Sequence, residues 1–220
     1  MNARLTAICV DAGKPRELAR FWSAVLLREI GDDGVTLPAD GPEQYSVRFT
    51  ERAEPKAGPN RMHFDLSSAA PGDQERTVAR ALAAGARHID VGQRPEEEHV
   101  VLADPEGNEF CVIEYGNDFL AGCGLIGALS CDGSREVGYF WSAVLGWPLV
   151  WDQDAETAIQ SPSGGMKISW GGPPLPPKNG RGRVRLDIAG AGAERLVALG
   201  ATRAGHLEMA DPDGNEFQIC

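Results

Sequence analysis

Four stretches of this 220-residue chain are written twice, in the same order. ELARFWSAVLLRE (17–29) returns as EVGYFWSAVLGWP (136–148), and PKAGPNRMHFDL (55–66) as PKNGRGRVRLDI (177–188). LAAGAR (82–87) returns as VALGAT (197–202), and LADPEGNEF (102–110) as MADPDGNEF (209–217). Ordered self-similarity of this kind describes a duplicated domain. The halves run over 1–118 and 122–220, joined by the Gly- and Asn-bearing stretch GNDFLAGCG (116–124). The repeat offset is 119 at FWSAVL but 107 at the Asp-Pro turn, so the second copy lacks about fifteen residues around QRPEEEH (93–99). That segment of the first copy is expected to be an exposed loop or hairpin.

Local patterns give each half alternating strands and helices. LTAICVD is rich in strand formers. Pro15 suits a first helical turn, and Leu18, Phe21, Trp22 and Val25 share one helical face, so the aromatic pairs Phe21–Trp22 and Phe140–Trp141 are read as core. RMHFDL alternates with period two: Met62, Phe64 and Leu66 on one face, Arg61, His63 and Asp65 on the other. Its copy sets Val184, Leu186 and Ile188 against Arg183, Arg185 and Asp187. A polar sheet face kept in both halves suggests a concave surface open to water or a ligand. Gly85 and Gly200 read as helix C-terminal glycines. In the Asp-Pro-x-Gly-Asn turns, proline fixes φ, glycine supplies positive φ, and the aspartate can bond its own downstream backbone.

Composition narrows the function. The formal net charge of -11 argues against nucleic acid, whose affinity comes from clustered Lys and Arg. No apolar run is long enough for a membrane span, and the N-terminal stretch lacks a signal-peptide pattern. The five cysteines, Cys9, Cys111, Cys123, Cys131 and Cys220, are odd in number and form no CxxC pair. A cytoplasmic protein that takes a small-molecule partner is therefore expected. The first half carries net charge -8 and the second -3, which directs the expectation of a cationic ligand to the first half. The stretch GGPPLPP (171–177) reads as a stiff crossover. Phosphate-binding glycine loops, nucleophile elbows and dinucleotide fingerprints are absent from the sequence.

The order strand, helix, strands, repeated, with FWxAVL in the first helix and DPxGNEF before the last strand, resembles the vicinal oxygen chelate superfamily. This group holds glyoxalase I, bleomycin-resistance proteins and extradiol dioxygenases. The resemblance implies an α+β fold of two tandem glyoxalase-like domains. Each consists of two paired βαβββ modules forming a U-shaped mixed sheet around a cavity, with modules starting near Leu5, Arg61, Leu125 and Arg183. Pairing within one chain or across a homodimer both stay open.

The resemblance also implies where a divalent ion would be held, namely by first-strand and last-strand side chains of paired modules. His63 matches a first-strand ligand position, and Cys111 stands where a last-strand carboxylate is expected. Thr6 and Arg48 take the other positions of the first domain; Leu125, Arg185, Gln218 and the span 167–170 take those of the second. Arg offers a metal no lone pair. The expectation is therefore a binding protein without an intact metal site and without a cofactor. The alternative is a metal-dependent lyase or dioxygenase-like enzyme acting through His63 and Cys111. His63 is either a cavity-wall histidine hydrogen-bonded to Asp65 or Arg61 or, with a near-neutral pKa, a ligand contact or general base. Arg61, Asp65, Arg48, Arg185, Asp187 and Gln218 are the polar candidates for ligand contact, with Asp65 and Asp187 alternatively paired to Arg61 and Arg183. Trp151 and Trp170 are candidates to stack on a ligand.

Overall fold

A computed structural model describes residues 2–39, 41, 44–52, 54–94, 96–175 and 177–220. The first module holds β1 (Arg4–Ala12), α1 (Pro15–Leu26), β2 (Thr36–Leu37) and β3 (Ser46–Glu51). The second holds β4 (Met62–Ser68), α2 (Asp73–Ala84), β5 (Arg87–His88), β6 (Val100–Ala103) and β7 (Glu109–Tyr115). The third holds β8 (Ile126–Cys131), α3 (Arg135–Leu145), β9 (Leu149–Gln153), β10 (Glu156–Gln160) and β11 (Lys167–Trp170). The fourth holds β12 (Val184–Ala189), α4 (Ala193–Ala198), β13 (Thr202–Arg203), β14 (Glu208–Ala210) and β15 (Glu216–Ile219). Among the described residues the first module carries two strands after its helix and the others three. No helix among the described residues is long and apolar enough to cross a membrane.

The modules assemble into two mixed sheets, as expected of an α+β fold of paired modules, but the expectation that each half builds its sheet from its own two modules is corrected: β1 takes β12 and β4 takes β8. Each sheet draws one module from each half of the sequence. The seven-stranded sheet runs β13-β14-β15-β12-β1-β3-β2 and joins the first and fourth modules through the antiparallel pair β1–β12. The eight-stranded sheet runs β5-β6-β7-β4-β8-β11-β10-β9 and joins the second and third through the antiparallel pair β4–β8. Both are completed within a single chain.

Helix packing supplies the bond within each half. Trp22, 2% exposed on α1, packs edge-on to Phe64 and Phe110 of the eight-stranded sheet at centroid distances of 5.2 and 5.0 Å. Trp141 on α3 repeats this against Phe217 of the seven-stranded sheet at 5.0 Å. Burying a side chain of this size is worth about 1.5–3 kcal/mol, and the aromatic geometry adds to that. The aromatic pairs are thus core, as their helical spacing indicates.

The repeated turn is explained by the same packing. Trp22 Nε1 donates to Asp104 at 3.2 Å and Trp141 Nε1 to Asp211 at 3.3 Å, while Asn108 and Asn215 cap the same carboxylates. Gly107 and Gly214 adopt φ of 84° and 81°. The Glu of each GNEF pairs with the Lys of each repeated Pro-Lys: Lys56–Glu109 and Lys178–Glu216, both at 2.5 Å. The repeats are fold chemistry that ties turn, helix and inter-module loop together.

The described residues of 93–99 and of 171–177 lie in no helix or strand, as expected; Pro95 and Pro176 lie outside the described residues.

Candidate functional site

Strand register places one residue from each of five strands in a row across the eight-stranded sheet. His63 on β4 stands opposite Ser130 on β8, Ser130 beside Ser169 on β11, Ser169 opposite Ala158 on β10, and Ala158 opposite Trp151 on β9. Cross-strand partners point to the same face, so the row forms a continuous floor. All five line one cavity of about 410 Å³, with Phe119, Asp132 and Glu156 among its walls. This volume suits a small organic ligand.

The polar end of the row is tightly bonded. His63 Nε2 lies 3.4 Å from Asp65, and the Ser130 hydroxyl donates to Asp65 and lies 3.2 Å from the Ser169 hydroxyl. Cys111 stands across from Asp65 on β7 and hydrogen-bonds to His63. Burial disfavours the imidazolium, but the Asp65 carboxylate and the Cys111 sulfur outweigh it and hold the His63 pKa up to about 10. The near-neutral value expected from sequence is corrected accordingly: at neutral pH His63 is a proton donor, not a base. Burial pushes the Cys111 thiol up, against the pull of His63, so it remains a thiol.

The second polar face, on the seven-stranded sheet, is closed on itself. Arg185 stands opposite Cys9, Cys9 beside Arg48, and Arg48 opposite Thr36, the counterpart of the row that begins at His63. Arg185, 8% exposed, pairs with Asp11 at 2.5 Å and with Asp187 at 3.4 Å. Arg48 reaches Asp187 at 3.8 Å, Arg52 reaches Asp11 at 3.3 Å, and the Cys9 thiol donates to Asp187 at 2.9 Å. Burial pushes that thiol up, reinforced by Asp187. Gln218 stands across from Asp187, as Cys111 does from Asp65. A guanidinium thus fills the place that the imidazole holds in the other sheet.

The candidates sort by sheet. His63, Asp65, Cys111, Trp151 and Trp170 fall on the eight-stranded sheet; Arg48, Arg185, Asp187 and Gln218 fall together on the other, away from His63, because the first module pairs with the fourth. Trp151 is 39% exposed at the cavity wall, whereas Trp170 borders the cavity but is 1% exposed, alternating to the face opposite Ser169, where Gly133 leaves room for its ring. Arg61 bonds the Asp213 carbonyl at 3.2 Å and Arg183 the Asp11 and Glu54 carbonyls at 2.9 Å. The pairing of Asp65 with Arg61 and of Asp187 with Arg183 is therefore corrected: side chains on the same face, two residues along or one strand over, reach these carboxylates first. Ser130, Ala158, Asp132, Glu156 and Phe119 escape sequence reading, because only the β4–β8 pairing brings them to His63.

His63, Asp65 and Cys111 can offer a nitrogen, an oxygen and a sulfur atom within 4.8 Å of one another. In number and type they suit one zinc-like ion, after loss of the His63 and Cys111 protons. All three come from one module; the facing module presents the hydroxyls of Ser130 and Ser169.

A search by sequence against curated proteins returns no match. Among solved structures the fold is similar to glyoxalase I from Zea mays, at TM-score 0.65 and 12% identity over 99% of this chain and 92% of that one. It is also similar to a putative dioxygenase from Bacillus subtilis, at TM-score 0.62 and 14% identity over 98% of this chain and 84% of that one. The family model described as a glyoxalase-like domain matches residues 7–113 and 127–220, so the chain belongs to the glyoxalase-like family, as a tandem of two such stretches.

Proposed function

We propose that the protein binds a small molecule in the cavity over the His63–Ser130–Ser169–Ala158–Trp151 row, without a metal ion. The observation that carries this reading is the floor itself: one polar end, one aromatic end and a small Ala158 between them, lining about 410 Å³. The Asp132 and Glu156 carboxylates and the Ser169 hydroxyl oxygen would meet the ammonium of the ligand, and Trp151 its apolar body. Asp132 and Glu156 in the wall favour a neutral or cationic ligand over an anion, in keeping with the acidic charge of the chain. Isothermal titration with a panel of small amines and matched carboxylates tests this. The expectation is saturable binding of amines that persists in chelator; binding of carboxylates alone would overturn the charge assignment.

A second reading rests on the His63, Asp65 and Cys111 donor set. These residues would hold a divalent ion, which when bound supplies Lewis-acid polarisation to an oxygenated substrate, as a lyase or dioxygenase-like enzyme needs. The Ser169 hydroxyl, beside Ser130 in the facing module, would position substrate oxygen. Elemental analysis showing a stoichiometric divalent ion, lost in a His63→Ala variant, would establish this reading over the first.

A further inference from the structure

Phe119 belongs to the connector between the halves, a stretch that sequence marks only as punctuation. In the structure Asp118–Leu120 forms a single 3₁₀ turn, with Asn117 Oδ1 accepting from the Leu120 amide at 3.2 Å. Leu120, 6% exposed, seats the turn over Gly127, where an added Cβ would meet Leu120 Cδ1 at 2.9 Å. Lys167, reaching from β11, donates its ammonium to the Phe119 carbonyl and lies 4.6 Å from the centre of the Phe119 ring. The Phe119 ring in turn meets Trp151 edge-on, at 6.3 Å between centroids and 83° between planes. The connector is therefore pinned on either side of Phe119, and its ring completes an aromatic wall with the edge strand β9.

That wall belongs to the same cavity as the polar row, since Phe119, Trp151, His63, Ser130 and Ser169 all line it. A ligand whose ammonium meets the Ser169 hydroxyl oxygen and the acidic walls has its remaining body against these two rings. Rings set at right angles offer a face and an edge to whatever lies against them, the arrangement that rewards a π-system beyond its buried area. Asp132 and Glu156 add negative charge to the same walls.

We propose that Phe119 is a specificity-determining residue, and that the connector is a strap which selects a flat, π-conjugated amine over a saturated amine of the same skeleton. This rests on the binding reading above. It assigns to the connector a role in recognition, and to the fold a reason for running the join between its halves past the mouth of one cavity. Lys167 is a positioning residue in this arrangement: it holds Phe119 through its carbonyl and ring.

The test uses the full chain and two probes, 1-naphthylmethylammonium and its perhydro counterpart, measured by isothermal titration. The parent is expected to favour the naphthyl amine about fivefold, the effect of one to two aromatic contacts. Phe119→Leu keeps an apolar side chain but removes the ring, and is expected to bring the ratio to about one while the perhydro amine binds within about twofold of parent. Phe119→Tyr is expected to restore the preference, which separates recognition from loss of fold. An unchanged ratio in Phe119→Leu, or equal affinity of the two amines for the parent, would overturn the proposal. Failure of the underlying reading looks different: neither amine binds the parent, or a side chain that fills the cavity at Ala158 leaves both affinities intact.

Discussion

Ser130 stands directly across the β4–β8 seam from His63, and its hydroxyl and the imidazole share the carboxylate of Asp65. The two residues lie in different halves of the sequence, so the polar end of the cavity exists only because the second and third modules pair. The same row continues to Ala158, whose side chain is the smallest of the floor. Ala158→Phe is expected to occupy the cavity and lower affinity for a bound amine at least about tenfold, equivalent to 1.4 kcal/mol. Ala158 is itself 0% exposed, so the ring also crowds its neighbours, and the thermal midpoint is expected to fall while the chain stays folded. Titration and a melting curve on the same sample check both.

His63 makes stability depend on alkaline pH. Its folded pKa of about 10 lies above the ordinary 6.5, so protonation favours the fold. The contribution is fully present below pH 6.5 and is lost as pH rises through 10. Denaturation midpoints at pH 6, 8 and 10 are expected to fall more steeply in the parent than in His63→Gln, which has no proton to lose; parallel slopes would contradict the assignment.

Arg185 should be essential to the seven-stranded sheet and irrelevant to the cavity. Removing it takes the one buried guanidinium from the carboxylates of Asp11 and Asp187, which are 5% and 3% exposed, and leaves them the more exposed Arg52 and Arg48. Arg185→Met is expected to cost about 3–5 kcal/mol, the penalty for breaking a buried ion pair from one side. A charge-free Arg185→Met/Asp187→Leu combination should recover part of that loss. Ligand affinity, measured where the variants remain folded, is expected to equal the parent's.

Trp22→Phe tests the join between turn and helix. It keeps most of the aromatic packing but removes the indole N–H that reaches Asp104 at 3.2 Å. Burial already pushes the Asp104 carboxyl up, and loss of a donor leaves it less well satisfied. A loss of about 1–3 kcal/mol in chemical denaturation is expected, with Trp141→Phe behaving alike at Asp211.

Much of this fold was legible in the sequence, because repetition, turn chemistry and alternation are local. Period-two alternation put His63 and Asp65 on one polar face, and helical spacing put Trp22 and Trp141 in the core. The partner of each module was not legible: β1 and β4 are equally suited to an antiparallel seam, and no local pattern says that β4 takes β8. Without that pairing, Arg48 is grouped with His63, the span that holds Ser169 is grouped with Arg185, and Ser130 and Phe119 have no site to belong to. The pKa of His63 was missed for a related reason, since the residues that hold its proton come together only when β4 lies beside β7.

The most direct measurement is the stoichiometry and metal dependence of binding, by titration of 1-naphthylmethylammonium into the full chain before and after exhaustive chelation. One amine per chain, unchanged by chelation and lost in Ala158→Phe, is the predicted result. Binding that disappears on chelation and returns with a divalent ion, or two equivalent sites per chain, would contradict it.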